Sequence, residues 1–157
     1  MKFVDSLGLE LIHNDREILK PKELDIYIPS KNIAIEFNGL YWHSDSVLKD
    51  KNYHYNKWKA SHDQGIQLIT VWEDDWRDKR DIVVRMLKHK LGVSEDEVVY
   101  ARKCQVVVLP KQTAWKFLDD NHIQGHTFSS VYLGLTVGSE LVAVMALTLN
   151  NKNTQVS

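Results

Sequence analysis

Two acidic residues, Asp25 in LDIYIP (24–29) and Glu36 in NIAIEFNG (32–39), are the first candidates for chemistry in this sequence. Both runs are rich in β-branched residues, and Pro29-Ser30-Lys31-Asn32 between them is a turn signal, so together they read as a hairpin. A turn centred between Ser30 and Lys31 sets Ile28 opposite Ile33, Ile26 opposite Ile35 and Asp25 opposite Glu36. Alternation then places Leu24, Ile26, Ile28, Ile33, Ile35 and Phe37 on a core face, with Asp25, Tyr27, Glu36 and Asn38 on a polar face. Opposed residues have Cβ atoms about 4.5–5.5 Å apart, where like charges destabilise unless something neutralises them. A divalent cation does this, and two hard oxygen donors suit Mg²⁺, with Mn²⁺ as a substitute, completed by water and a phosphate oxygen. Such an ion generates hydroxide and stabilises charge developing on a phosphodiester. On an arbitrary hairpin the same pair is ordinary solvated surface.

Further groups follow the pair. Asn38, Tyr41, Trp42 and His43 come just after Glu36 around the Gly39 bend, and His43 has the near-neutral pKa class of a general base, although a histidine after tryptophan is commonly a packing or capping residue. In VLKDKNYHYNKWKASHDQ (47–64), which lacks Pro and Gly and runs up to Gly65, a helix is predicted. His54, Lys57, Trp58 and Ser61 fall there at i, i+3, i+4 and i+7, so one helix face can present His54 and Lys57 together. Lys57 could hold a nonbridging phosphate oxygen or orient water, and His54 could relay a proton or bind the scissile group; the alternative is that both are the wet side of a helix.

The elements that must position these groups are legible from periodicity. Residues 2–7 read as the last turn of a helix whose beginning lies upstream, with Phe3, Val4 and Leu7 on one face and Gly8 as its cap. LELIHND (9–15) reads as a strand, and IQLITVWE (66–73) as an apolar strand buried on both faces. DDWRDKRDIVVRMLKHKLG has helical spacing throughout, closes on Gly92, and carries Glu73, Asp74 and Asp75 at its start, where the helix dipole favours negative charge. The first 92 residues are thus a small mixed β-sheet flanked by helices, an α/β unit. After the shift in composition at SEDE (94–97), residues 98–150 read as a β-α-β-β extension: a strand over 98–109, a helix opened by Pro110, and two strands joined around Gly138-Ser139. His122 and His126 flank Ile-Gln-Gly in a turn, where a structural role is expected. Arg102, Lys103, Lys111 and Lys116 read as surface that can also touch phosphates. Trp42, Trp58, Trp72 and Trp76 read mainly as packing residues.

Composition bounds the function. The chain has 157 residues, 43% hydrophobic and 26% charged, enough apolar material for a packed core and too much for a disordered chain. A net charge of −1 supplies no overall drive toward nucleic acid, so any such binding must come from local groups or a metal. The single cysteine, Cys104, excludes an intramolecular disulfide framework and fits a reducing compartment. No secretory pattern and no membrane-length apolar run is found, and a cytoplasmic protein without membrane partners is expected.

Taken in order, ELDIYIPSKNIAIEFNGLYWHSD (23–45), KNYHYNKW (51–58) and GIQLITVWEDDW (65–76) resemble the phage and intron-associated homing endonucleases related to very short patch repair (Vsr-like) endonucleases, within the PD-(D/E)xK nuclease superfamily. The resemblance covers roughly residues 7–91 and implies a restriction-endonuclease-like core. It also implies Mg²⁺-dependent hydrolysis of double-stranded DNA by a phage-encoded enzyme in a bacterial cytoplasm. Asp25 and Glu36 would be metal ligands, His43 the base, and Asn38, Trp42 and Lys57 DNA contacts. Three positions depart from the pattern. Asn38 replaces the superfamily lysine, so that role passes to Lys57, to His54 or to no residue. His54 stands where the repair branch has a helical aspartate. The glutamate that relatives carry on a helix before the SLG turn has no counterpart, Glu10 being the nearest acidic residue. These departures leave a second expectation, a catalytically silent or truncated nuclease-fold module that binds DNA or a partner. FLDDNHIQG and LGLTVGSELVAVMAL resemble the region after the nuclease unit in longer phage relatives and, faintly, the first half of an acetyltransferase-like fold.

Overall fold

The computed structural model describes residues 2–39 and 52–148, and the chain divides into two compact units, residues 1–94 and 95–157. In the first, a short helix α1 (Lys2–Asp5) and strand β1 (Ile12–Asp15) precede the hairpin β2 (Leu24–Ile28) and β3 (Ile33–Asn38). Helix α2 (Tyr53–Asp63), strand β4 (Gln67–Trp72) and helices α3 (Glu73–Asp78) and α4 (Arg80–Leu91) follow. The sheet order is β1-β2-β3-β4, antiparallel except for the parallel pair β3 and β4, so the sheet is mixed, as the sequence predicts.

The hairpin closes through a 3₁₀ turn over Pro29–Lys31 and a left-handed Asn32 (φ 50°), a conformation that asparagine tolerates better than most residues. Its register pairs Ile26 with Ile35, Tyr27 with Ala34 and Ile28 with Ile33, the pairing that alternation and turn length predict. A parallel neighbour for β3 requires a crossover, and α2 lies within it in sequence, between β3 and β4. Leu19, Leu24, Ala34 and Ile66 form a buried cluster against which Ala60 of α2, Tyr27 and Leu68 pack, so α2 lies over the Ala34 face of the sheet. In α4, Val83, Leu87 and Leu91 are fully buried at four-residue spacing and form one apolar stripe. The helix ends on a left-handed Gly92 (φ 67°), as predicted.

Four expectations are corrected. The division into a core face and a polar face does not hold along β3: Glu36 on the polar face is 5% exposed and Asn38 3%, whereas Phe37 on the expected core face is 37% exposed and meets Trp76 edge-on. Strand β4 is not buried on both faces; it ends the described sheet, with Ile69 and Val71 buried but Gln67 and Thr70 exposed, because only one side of an edge strand is fully packed. The single helix expected after it is two, broken where Lys79 leaves helical geometry (φ −132°, ψ 35°). Trp58 is 47% exposed and is not a core residue.

The second unit contains β5 (Gln105–Val108), α5 (Lys111–Asn121), β6 (Val131–Val137) and β7 (Glu140–Leu147), an antiparallel sheet of order β5-β6-β7 with the predicted β-α-β-β succession. The strand expected from residue 98 shortens to four residues. Only Gln105 to Val108 find partners on β6, and Val98, Val99 and Tyr100 before them are exposed. Pro110 caps α5, and Gly138 (φ 59°) turns the β6–β7 hairpin. Among the described residues no helix is long and apolar enough to cross a membrane.

Candidate active site

At the end of the hairpin remote from its turn, each acidic side chain is held by the main chain of the opposite strand. The Asp25 backbone N–H donates to Glu36 Oε1 (3.2 Å), and the Phe37 backbone N–H donates to Asp25 Oδ2 (2.8 Å). The two carboxylates that the sequence predicts to face one another are therefore brought together. Asp25 is half-buried and lines a recess of about 350 Å³ together with His13, Asn14, Ile26, Ile35 and Phe37. His13 reaches this recess because β1 pairs with β2, and it forms an ion pair with Asp5 (3.0 Å) when protonated. No local sequence signal marked it.

Helix α2 supplies the partner of Glu36. Lys57 Nζ donates to Glu36 Oε2, and both side chains are 6% exposed, so this is a buried salt bridge between β3 and the helix. One turn later the fully buried Ser61 donates to the Lys57 carbonyl (3.0 Å). One turn earlier, Asn38 Nδ2 approaches His54 Nδ1 at 3.4 Å; an amide nitrogen only donates, so the neutral ring keeps its proton on Nε2. The His54 ring also packs on Trp72 and Tyr53. The i, i+3 spacing of His54 and Lys57 thus matches the alternation of Asn38 and Glu36, because α2 runs antiparallel to β3. The wall is assembled and faces the sheet, so the reading of these two residues as a wet helix face is overturned.

Burial pushes the Glu36 carboxyl above its usual range. The Lys57 hydrogen bond and charge pull it down, the Asp25 charge pushes it up again, and the Asp25 backbone N–H lowers it. Glu73, Asp74 and Asp75 occupy the first turn of α3, as predicted, and the Glu73 carboxylate lies beside Gly39. Burial, then the neighbouring Asp74 charge, raises the Asp75 pKa. Among the described residues no three His, Cys, Asp or Glu side chains are grouped to hold a metal ion. The donor set at the hairpin is two carboxylates, one beside an open recess. That fits a cation such as Mg²⁺, which keeps several waters and takes one or two carboxylates plus a phosphate oxygen. Trp42 and His43 lie outside the described residues.

No protein-family model matches the sequence, and no curated protein does. Among solved structures the chain is similar to the catalytic domain of homing endonuclease I-Bth0305I, with 22% identity and a TM-score of 0.45, over 59% of this chain and 89% of that one.

Proposed function

We propose that the first unit is a metal-dependent endonuclease that hydrolyses phosphodiester bonds in double-stranded DNA, with Mg²⁺, or Mn²⁺ in its place, held by Asp25 and Glu36. The observation that carries this reading is the convergence of Asp25, Glu36 and Lys57 from two strands and a helix. A buried Lys–Glu pair is expensive to desolvate, and packed apolar residues are often at least as stable in its place, so its presence beside a second carboxylate supports a chemical role. The reading agrees with the resemblance carried by residues 23–45, 51–58 and 65–76. The setting proposed with it is that of a phage-encoded enzyme in a bacterial cytoplasm.

When bound, the cation would neutralise charge at the scissile phosphate and acidify a water molecule. Lys57, buried on Glu36, holds that carboxylate in place and offsets negative charge from behind it. Asp25 keeps its orientation through the Phe37 N–H, so substrate meets a preformed acidic group. His43 accepts the proton of the attacking water, and His54, held by Asn38, relays it. Of the residues expected to contact DNA, Trp42 keeps that role in the proposal, while Asn38 and Lys57 are buried and act on His54 and Glu36 instead.

The test is plasmid cleavage at low salt with Mg²⁺, Mn²⁺ or EDTA. Metal-dependent nicking is expected, reduced about a hundredfold or more in Asp25→Ala and His43→Ala. No cleavage by folded protein with either metal would overturn the proposal. It would favour the second reading, a silent DNA-binding module, which draws on the Lys57–Glu36 pair satisfying both charges without a cation. In that case wild type and Asp25→Ala bind DNA equally.

A further inference from the structure

We infer that a recess in the second unit receives an unpaired nucleobase, hydrogen-bonded by His126 and His122. The choice of a nucleobase over other ligands rests on DNA being the substrate proposed above. Nothing in the hairpin chemistry uses this region, yet one imidazole in it is held with unusual care. His126 Nδ1 lies 2.9 Å from both Asp119 oxygens, and the His126 backbone N–H donates to Asp119 Oδ1 (2.9 Å). The ring stacks on Trp115 with centroids 4.1 Å apart and planes 22° off parallel. Trp115 is itself fixed: its indole N–H donates to Tyr132 Oη (2.9 Å), the Tyr132 hydroxyl donates to the Thr127 carbonyl (2.7 Å), and Lys111 Nζ sits 4.1 Å from the indole centroid. Helix, loop and strand all contribute to orienting a histidine whose side chain is still 34% exposed.

The hydrogen bonds assign the protons. A carboxylate only accepts, so neutral His126 carries hydrogen on Nδ1 and presents a lone pair at Nε2. The Gln124 backbone N–H donates to His122 Nδ1 (3.2 Å), so neutral His122 carries its hydrogen on Nε2. Both rings line one recess of about 440 Å³, within the range of small-ligand sites, with Leu118, Val144 and Ala146 as apolar wall. Among the described residues neither Nε2 has a hydrogen-bond partner. The pair therefore offers one acceptor and one donor beside an apolar surface. Two imidazoles in these tautomers do not share a cation, and a bare anion would face a lone pair. A flat heterocycle with a donor next to an acceptor satisfies both. Every nucleobase has such an edge on its Watson–Crick side, and in a duplex that edge is occupied, so the base must be single-stranded or extruded.

The experiment is histidine side-chain ¹⁵N NMR on the full chain, titrated with the four deoxynucleoside monophosphates, with N-acetylglycinamide as the amide control. His126 is expected as the Nδ1–H form and His122 as the Nε2–H form, with both rings shifting to saturation on nucleotide addition and unmoved by the amide. His122→Ala and His126→Phe should each weaken binding about tenfold; phenylalanine preserves the stack on Trp115 and removes only the polar atoms, so an unchanged remaining spectrum certifies the fold. Reversed tautomers, absent shifts at millimolar nucleotide, or equal shifts with the amide would overturn the inference. Asp25→Ala separates the two proposals: it should abolish cleavage and leave this titration unchanged. Binding without any cleavage refutes the nuclease alone, and cleavage without binding refutes the recess alone.

Discussion

Each unit holds a nitrogen donor against a carboxylate, in opposite surroundings. Lys57 and Glu36 meet between a sheet and the helix over it, almost without solvent, while His126, in the loop after α5, meets Asp119 of α5 at the surface, 34% and 50% exposed. In water such a contact contributes little, because solvent screens it and two side chains must be ordered to make it. The surface pair is accordingly supported by a stacked tryptophan and a tyrosine hydroxyl, whereas the buried pair is braced by the Asp25 backbone N–H on Glu36. The sheets differ in the same way. Helix α2 covers one face of the first sheet, but on the second Val106, Val108 and Met145 stand 68%, 75% and 59% exposed. Burial, rather than the identity of the charged groups, sets how strongly each pair is coupled to its fold.

Lys57→Met attacks the buried pair most directly. It strands a carboxylate in a covered site and should cost about 3–5 kcal/mol near neutral pH in urea unfolding, most of it recovered by adding Glu36→Gln. The loss should depend on pH in a definite direction. Glu36 in the folded state already holds its proton above the ordinary 4.5, so its contribution to stability is complete below pH 4.5 and falls as pH rises through the folded value. Removing Lys57 takes away the interactions that restrain that rise. The deficit of the variant should therefore shrink in acid and widen toward neutrality. A pH-independent deficit would mean that Lys57 acts through packing instead of charge.

In the second unit the larger effect should come from packing. A Cβ at Gly134 would lie 2.7 Å from Leu141 and 2.8 Å from Leu109, so Gly134→Ala should destabilise by about 1–3 kcal/mol. Asp119→Asn should cost about 1 kcal/mol or less while changing the His126 tautomer signal. If it instead unfolded the unit, the exposed pair would be as strongly coupled as the buried one, and the contrast would fail.

Much of this was legible in the chain. Alternation and the Pro-Ser-Lys-Asn turn determined the hairpin, its register and the meeting of Asp25 with Glu36, because the pleat makes sidedness a local property. Gly92 and Pro110 likewise marked helix ends through backbone geometry alone. The i, i+3 spacing placed His54 and Lys57 on one face of a helix, but their partners depend on where that helix lies, and a crossover is a long-range event. The burial of Glu36 and Asn38 on the polar face was hidden for the same reason, since the covering α2 is remote in sequence from Glu36. The pairing of His126, in a turn that reads as structural, with Asp119 of α5 was equally hidden. What the sequence alone determined is which residues can do chemistry and which of them share a strand or helix face. Tertiary structure alone decided that Glu36 is buried against Lys57, because desolvation depends on everything packed around a group and not on its neighbours in the chain.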